Sequence, residues 1–218
     1  MRNNIIKTEN YRGHNITVEF QEYAEHPFDD FSFLGNYHLD FGRRYEGRQN
    51  FKNRELPYPD DFIDCANFLS KNIVFELNAC DNGSNGADVY FRKQITSPAE
   101  LMELLAEDEP SYCFIPKTDI RKEFSVGKVT QQIIEQTEKI ITSEVKTLSA
   151  YYQDEVFIYF VTDANDEIVN SCGGFYGFRE MEYIFQYAKD NIDAIISYDQ
   201  KKNQEQALQF GLNKFAIV

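Results

Sequence analysis

A chain of 218 residues, 42% hydrophobic and 27% charged, carries enough apolar material to bury a core, and its 19 Phe and 14 Tyr supply large side chains that a disordered chain lacks. Its net charge of −14 repels a nucleic-acid backbone, which argues against general DNA binding and favours basic protein surfaces as partners. No apolar stretch of signal-peptide kind opens the chain, the longest fully apolar run, Val156 to Val161, is too short to span a bilayer, and Cys65, Cys80, Cys113 and Cys172 form no C-x-x-C, so a cytoplasmic protein with reduced thiols, no membrane segment and no zinc ribbon is expected.

In chain order, His14 to Tyr23 alternates at Ile16, Val18 and Phe20 with the period of a half-buried strand, and Leu34 to Phe41 repeats the pattern through Tyr37, Leu39 and Phe41. These two strands are expected to pair as antiparallel neighbours. Pro59 to Ser70 reads as a short helix with Phe62, Ile63, Ala66 and Leu69 on its buried face. Ile73 to Leu77 reads as a strand, and Asp81 to Gly86 as a loop before a further strand at Asp88 to Arg92. Ser97, Pro98 and Glu100 make a capping-box start for a helix that ends at Pro110.

Val129, Ile133, Ile140, Ile141, Val145 and Leu148 recur at helical spacing and predict a long helix over Val126 to Tyr152. Glu155 to Val161 and Glu167 to Cys172 flank Asp163 to Asp166 as a hairpin. A helix from about Arg179 to Tyr198, a polar stretch and a last amphipathic piece complete the chain. Strands, then helices, then a hairpin and a helix indicate an α+β fold, an antiparallel sheet with helices packed on it. A single domain over 1–218 is expected, with any sub-division near 97–125.

Charge is uneven. Residues 1–96 carry 11 basic and 15 acidic side chains, against 11 and 21 for residues 97–218. Glu135, Glu138, Glu144, Asp163, Asp166 and Glu167 are the candidate acidic face. Arg43, Arg44, Arg48, Lys52 and Arg54, interleaved with Tyr45 and Phe51, form the one basic cluster, a mixture that holds RNA by phosphate contacts and stacking or docks on an acidic protein. The plainer account of each is solubility and internal charge balance.

The search for chemistry is negative. His14, His26 and His38 stand twelve residues apart, outside the local spacing of a metal site, and no serine or cysteine has the flanking glycines of a nucleophile elbow. Asp60, Asp61 and Glu76 resemble the start of a nuclease site, but Asn78 stands where its lysine would be, and Glu144 and Lys146 diverge on a helix. Gly173, Gly174 and Gly177 lack the lysine of a phosphate-binding loop, so a tight structural turn explains them. Neither a catalytic residue, a metal nor a cofactor is therefore assigned.

Two blocks carry a resemblance. Asp29-Asp-Phe-Ser-Phe-Leu-Gly-Asn-Tyr-His-Leu-Asp-Phe-Gly-Arg-Arg-Tyr45 resembles the N-terminal block of uncharacterised phage- and plasmid-borne proteins that read W-D-N-L-G-T and then H-R-R-Y. Glu144-Val-Lys146, the stretch Tyr151 to Thr162 and Ser171-Cys-Gly-Gly-Phe-Tyr-Gly177 resemble that family's C-terminal block, E-V-x-x-Y leading to S-C-W-G-F-Y-G. Both tryptophans are missing here, Gly42 replaces the histidine, and Arg48 replaces an acidic residue after the L-G step. The resemblance covers about half the chain and implies a mobile genetic element in a bacterial host cell. The expected function is inhibition of a defence nuclease, as an anti-CRISPR or antirestriction protein, by binding the effector or its guide RNA complex through acidic surfaces and the arginine-rich segment. The alternative is a non-catalytic accessory interaction protein whose acidity serves only solubility.

Overall fold

Two antiparallel sheets and six helices give an α+β fold, in a computed structural model that describes residues 5–41, 48–50, 61–82, 86–108 and 110–215. The chain divides into two compact units, one of residues 1–24 with 156–218 and the other of residues 25–155.

The first unit holds a four-stranded sheet in the order β1 (Ile5–Tyr11), β2 (His14–Phe20), β8 (Val156–Thr162), β9 (Ile168–Tyr176). Arg12 and Gly13, both at positive φ, make the two-residue turn between β1 and β2. Ile16 and Val18 of β2 and Phe157, Tyr159 and Val161 of β8 point to one face, where Ile184, Phe185, Ala188 and Ile192 of α6 (Met181–Phe215) cover them. That is a strand period of two meeting a helix period of three to four. The predicted β8–β9 hairpin forms, and Asp163 shapes its turn by accepting the amides of Asn165 and Glu167. Those bonds hold the Asp163 carboxyl below its ordinary value.

The second unit holds a five-stranded sheet, β4 (Arg48–Asn50), β3 (Asn36–Leu39), β7 (Ser111–Pro116), β5 (Asn72–Asp81), β6 (Ala87–Ile95). Helices cover both faces. Ile73, Phe75 and Leu77 of β5 and Cys113 and Ile115 of β7 pack with Ile141, Val145 and Leu148 of α5 (Gln131–Tyr152). The alternate residues Val74, Tyr112 and Phe114 pack with Cys65 and Phe68 of α2 (Phe62–Lys71) and Leu101 and Leu104 of α3 (Pro98–Leu105). The capping box of α3 is present as expected, Ser97 and Glu100 each accepting the other's backbone amide. Two short helices, α1 (Pro27–Asp30) and α4 (Lys117–Glu123), complete the unit.

Several sequence expectations change. The strands at 14–23 and 34–41 do not pair, because both edges of β2 are taken by β1 and β8, and β3 lies between β4 and β7 in the other sheet. β1, β4, β7 and α4 have no counterpart among the expected elements, and α1 forms at Pro27–Asp30 inside the stretch Glu22 to Asp30 that reads as an acidic loop. On α2 the buried stripe is Cys65 and Phe68 with Leu69 beside them, while Phe62 and Ile63 are exposed, because the helix packs the Cys65–Phe68 side on Val74, Tyr112 and Phe114 of the sheet and on Leu101 and Leu104 of α3. Thr130 likewise starts α5 later than Val126. The polar stretch near 199–206 does not interrupt α6, whose Gln, Lys and Glu residues are good helix formers.

Candidate functional site

The residues singled out from sequence are distributed rather than assembled. Arg43, Arg44, Tyr45, Lys52 and Arg54 lie outside the described residues, and of Arg48 only the backbone is described, paired with Leu39. Glu135 and Glu138 share an exposed groove on α5 with Lys139 and Lys146, so their charge is locally offset. Glu144 turns inward: Oε1 accepts the Leu34 amide at 2.6 Å, and Oε2 accepts the Gly35 amide at 3.2 Å and the Tyr37 hydroxyl at 2.7 Å. Burial holds the Tyr37 phenol well above its ordinary value, and the neighbouring Cys113 and Glu144 charges push the same way. Asp166 and Glu167 are exposed at the β8–β9 turn of the other unit.

Gly173 and Gly174 do not form the turn expected between a strand and a helix but sit inside β9, where one extra residue opposes β8 between the pairs Phe157 with Phe175 and Tyr159 with Cys172. This is a β-bulge, with Gly174 at φ 76° and its amide donated to Gln21 Oε1. Gly177, at φ 90°, opens the 3-10 turn Phe178–Glu180.

Each histidine has a local role. His26 Nδ1 accepts the Phe28 amide at 3.1 Å to cap α1, which places the proton of the neutral ring on Nε2, 3.1 Å from the Tyr152 hydroxyl. His38 stacks near Tyr112, and burial lowers its pKa against an opposing pull from Asp40. His14 approaches the Arg12 carbonyl. Of the nuclease-like trio, Asp61 caps α2, Glu76 pairs with Arg92 and Lys93, and Asp60 lies outside the described residues. Among the described residues no three His, Cys, Asp or Glu side chains converge as metal ligands would, and no helix is long and apolar enough to cross a membrane.

A buried carboxylate at the start of β6, Asp88, ties that strand to Asn82 and to α5. Asp88 accepts from Asn82 Nδ2, the Tyr90 hydroxyl at 2.6 Å and Ser149 Oγ at 3.1 Å. The bond to Asp88 pushes Tyr90 up to about 12. Because the folded value lies above the ordinary 10.0, this interaction contributes fully below pH about 10 and is lost as pH climbs through about 12. Asp88→Asn removes the charge beside Tyr90 and is expected to lower its pKa toward the ordinary value, read by the NMR shift of its ring carbons; a Tyr90 titration unmoved by the substitution would contradict the assignment.

A cleft of about 560 Å³ lies in the second unit, bordered by four cations, Lys71, Lys117, Arg121 and Lys128. Lys71 lies in the last turn of α2, Lys117 and Arg121 are four apart on α4, and Lys128 follows in the connection to α5. Ile73, Ile95, Val129 and Ile134 supply apolar lining, and Gln94, Thr96 and Thr118 supply neutral polar groups. Among the described residues no carboxylate lines the cleft.

Lys117 has a structural duty, its Nζ donating to the carbonyls of Leu69 at 2.8 Å and Ser70 at 2.9 Å at the end of α2. Lys71, Arg121 and Lys128 pair with no carboxylate among the described residues. Like charges gathered around one cavity repel, and an anion placed among them reverses the sign of that energy. In a chain of net charge −14, this is a local inversion of the field. The only local signal in sequence was the spacing of Lys117 and Arg121, since Lys71 and Lys128 reach the cleft through the fold.

No family model matches the chain, and comparisons with curated proteins and with solved structures find no match.

Proposed function

We propose that this chain is a mobile-element-encoded inhibitor of a bacterial defence nuclease, an anti-CRISPR or antirestriction protein that acts in the host cytoplasm by docking on the effector or its guide complex. The observation that carries this reading is charge polarity: an acidic chain with cations collected in one unneutralised cleft. Nucleic-acid enzymes present basic channels, which attract an acidic protein over long range and fix its register at close range. The cleft provides the opposite pole, a place where a phosphate of the bound nucleic acid is attracted rather than repelled.

The reading is tested by affinity purification from a bacterium carrying several defence systems, at low and high salt, together with phage interference in the same strain. Expected are capture of a nuclease at low salt, its loss at high salt, and loss of interference. No nuclease captured and unchanged interference would overturn it. A second reading, an accessory interaction protein whose charge serves solubility, is favoured by the internal duties of Glu76, Asp88, Glu144 and Asp163. It predicts stable expression with host immunity intact.

A further inference from the structure

We propose that the cleft bordered by Lys71, Lys117, Arg121 and Lys128 binds a nucleotide-sized phosphate ester, either free or as one exposed nucleotide of a strand. The proposal rests on reading this cleft as a contact site and is independent of which effector the chain meets.

Size selects the ligand first. A space of about 560 Å³ falls within the range of small-molecule sites, which take ligands of nucleotide scale. Charge selects the group next. Four cations, with no carboxylate beside them among the described residues, favour an anion, and a phosphate monoester brings about two negative charges with several acceptor oxygens. Arg121 suits it best among the four, because a guanidinium can donate two parallel bonds to one phosphate. Lys117 acts as a fixed charge, since its ammonium already donates to two carbonyls of α2.

The remaining lining distinguishes a phosphate ester from a bare anion. Ile73, Val129 and Ile134 offer apolar surface that inorganic phosphate would leave unused, while Gln94 offers both a donor and an acceptor of the kind that reads a base edge. The chain's overall charge then disfavours a duplex. Double-stranded nucleic acid carries about one charge per 1.7 Å of axis, so most of it would lie against a surface of net negative charge. A ligand whose charge is confined to the cleft avoids that repulsion.

The experiment titrates the purified full chain with adenosine 5′-monophosphate, inorganic phosphate, a single-stranded ribodecamer and an RNA duplex, following binding by calorimetry and amide NMR. The variant Arg121→Glu with Lys128→Glu changes two exposed side chains, and circular dichroism checks that it folds. Saturable binding of the mononucleotide is expected, with shifts at Gln94, Thr96 and Val129 and at least tenfold weakening in the variant. The ribodecamer binding tenfold or more tightly than the mononucleotide, with the same residues shifted and the same loss in the variant, assigns the nucleotide to a strand; comparable affinity assigns it to a free ligand.

The inference is overturned by no mononucleotide binding, by inorganic phosphate binding as tightly as the nucleotide, by a duplex binding better than the single strand, or by binding that the variant leaves unchanged. If an effector is captured by a chain that binds no nucleotide, this inference fails and the inhibitor reading stands. Nucleotide binding with no effector captured has the opposite meaning.

Discussion

Replacing Gly86 by alanine is expected to destabilise the second unit by about 3 kcal/mol, the sum of a left-handed backbone penalty of about 1–2 kcal/mol and an overpacking cost of similar size. Gly86 holds φ at 84°, and a Cβ built on it would stand 2.4 Å from the carbonyl oxygen of Tyr152 and 3.1 Å from Cα of Gln153. Both obstacles are backbone, at the C-terminal end of α5, so relief requires the helix end and the start of β6 to move apart. That movement would strain the bond between Ser149 and Asp88 and the one from the Val89 amide to Ser149. Gly13 is the control. Its φ of 81° is nearly the same, but a Cβ there meets nothing within 4 Å, so Gly13→Ala carries the backbone penalty alone, about 1 kcal/mol. Urea unfolding of the two variants separates the terms, and equal losses would show that the close approach at Gly86 costs nothing.

Removal of the Glu144 carboxylate is the second large effect. Glu144→Ala leaves the amides of Leu34 and Gly35 and the hydroxyl of Tyr37 without their acceptor, and Tyr37 is fully buried. Each orphaned donor costs about 1–3 kcal/mol, and water reaching the half-buried carboxylate position recovers part, so a loss of about 3 kcal/mol is expected. Tyr37→Phe removes the hydroxyl and its bonds to Glu144 and Cys113 but leaves both amides satisfied, for about 1 kcal/mol. The ordering follows from what is orphaned rather than from how many contacts are deleted. A Glu144→Ala protein unfolding at the wild-type urea concentration would mean that the segment before β3 is not held by this carboxylate.

Glu144 also shows why the candidate acidic face was only half legible. Its helix and its position in the α5 repeat follow from Ile141, Val145 and Leu148, but its partners sit more than 100 residues earlier in the chain. A local pattern places a carboxylate on a helix; it does not say which amides will come to meet it. Asp163 is the contrary case, because its partners Asn165 and Glu167 are near neighbours, and the local sequence suffices to place a turn there. The glycines of β9 fall between these cases. Their need for unusual backbone geometry was visible, but the bulge depends on register against β8, which sequence does not set by itself.

Strands β7 and β1 escape the period-two pattern for opposite reasons. β7, with helices packed on both faces of its sheet, is buried at all six residues and therefore shows no alternation, and prolines at 110 and 116 obscured it further. β1 is the opposite extreme, an edge strand of mostly polar residues whose membership is decided by pairing with β2.

Local chemistry in the sequence determined the helix starts at Ser97, the β8–β9 hairpin, the apolar stripe of α5 and the α+β class, because each depends on residues within a turn or two of one another. The tertiary structure alone decided that residues 14–20 and 36–39 belong to different sheets, that Glu144 faces inward, and that Lys71, Lys117, Arg121 and Lys128 border one cleft. Each of those facts brings together groups far apart in the chain, and such encounters are settled by the packing of whole elements, which no window of sequence contains.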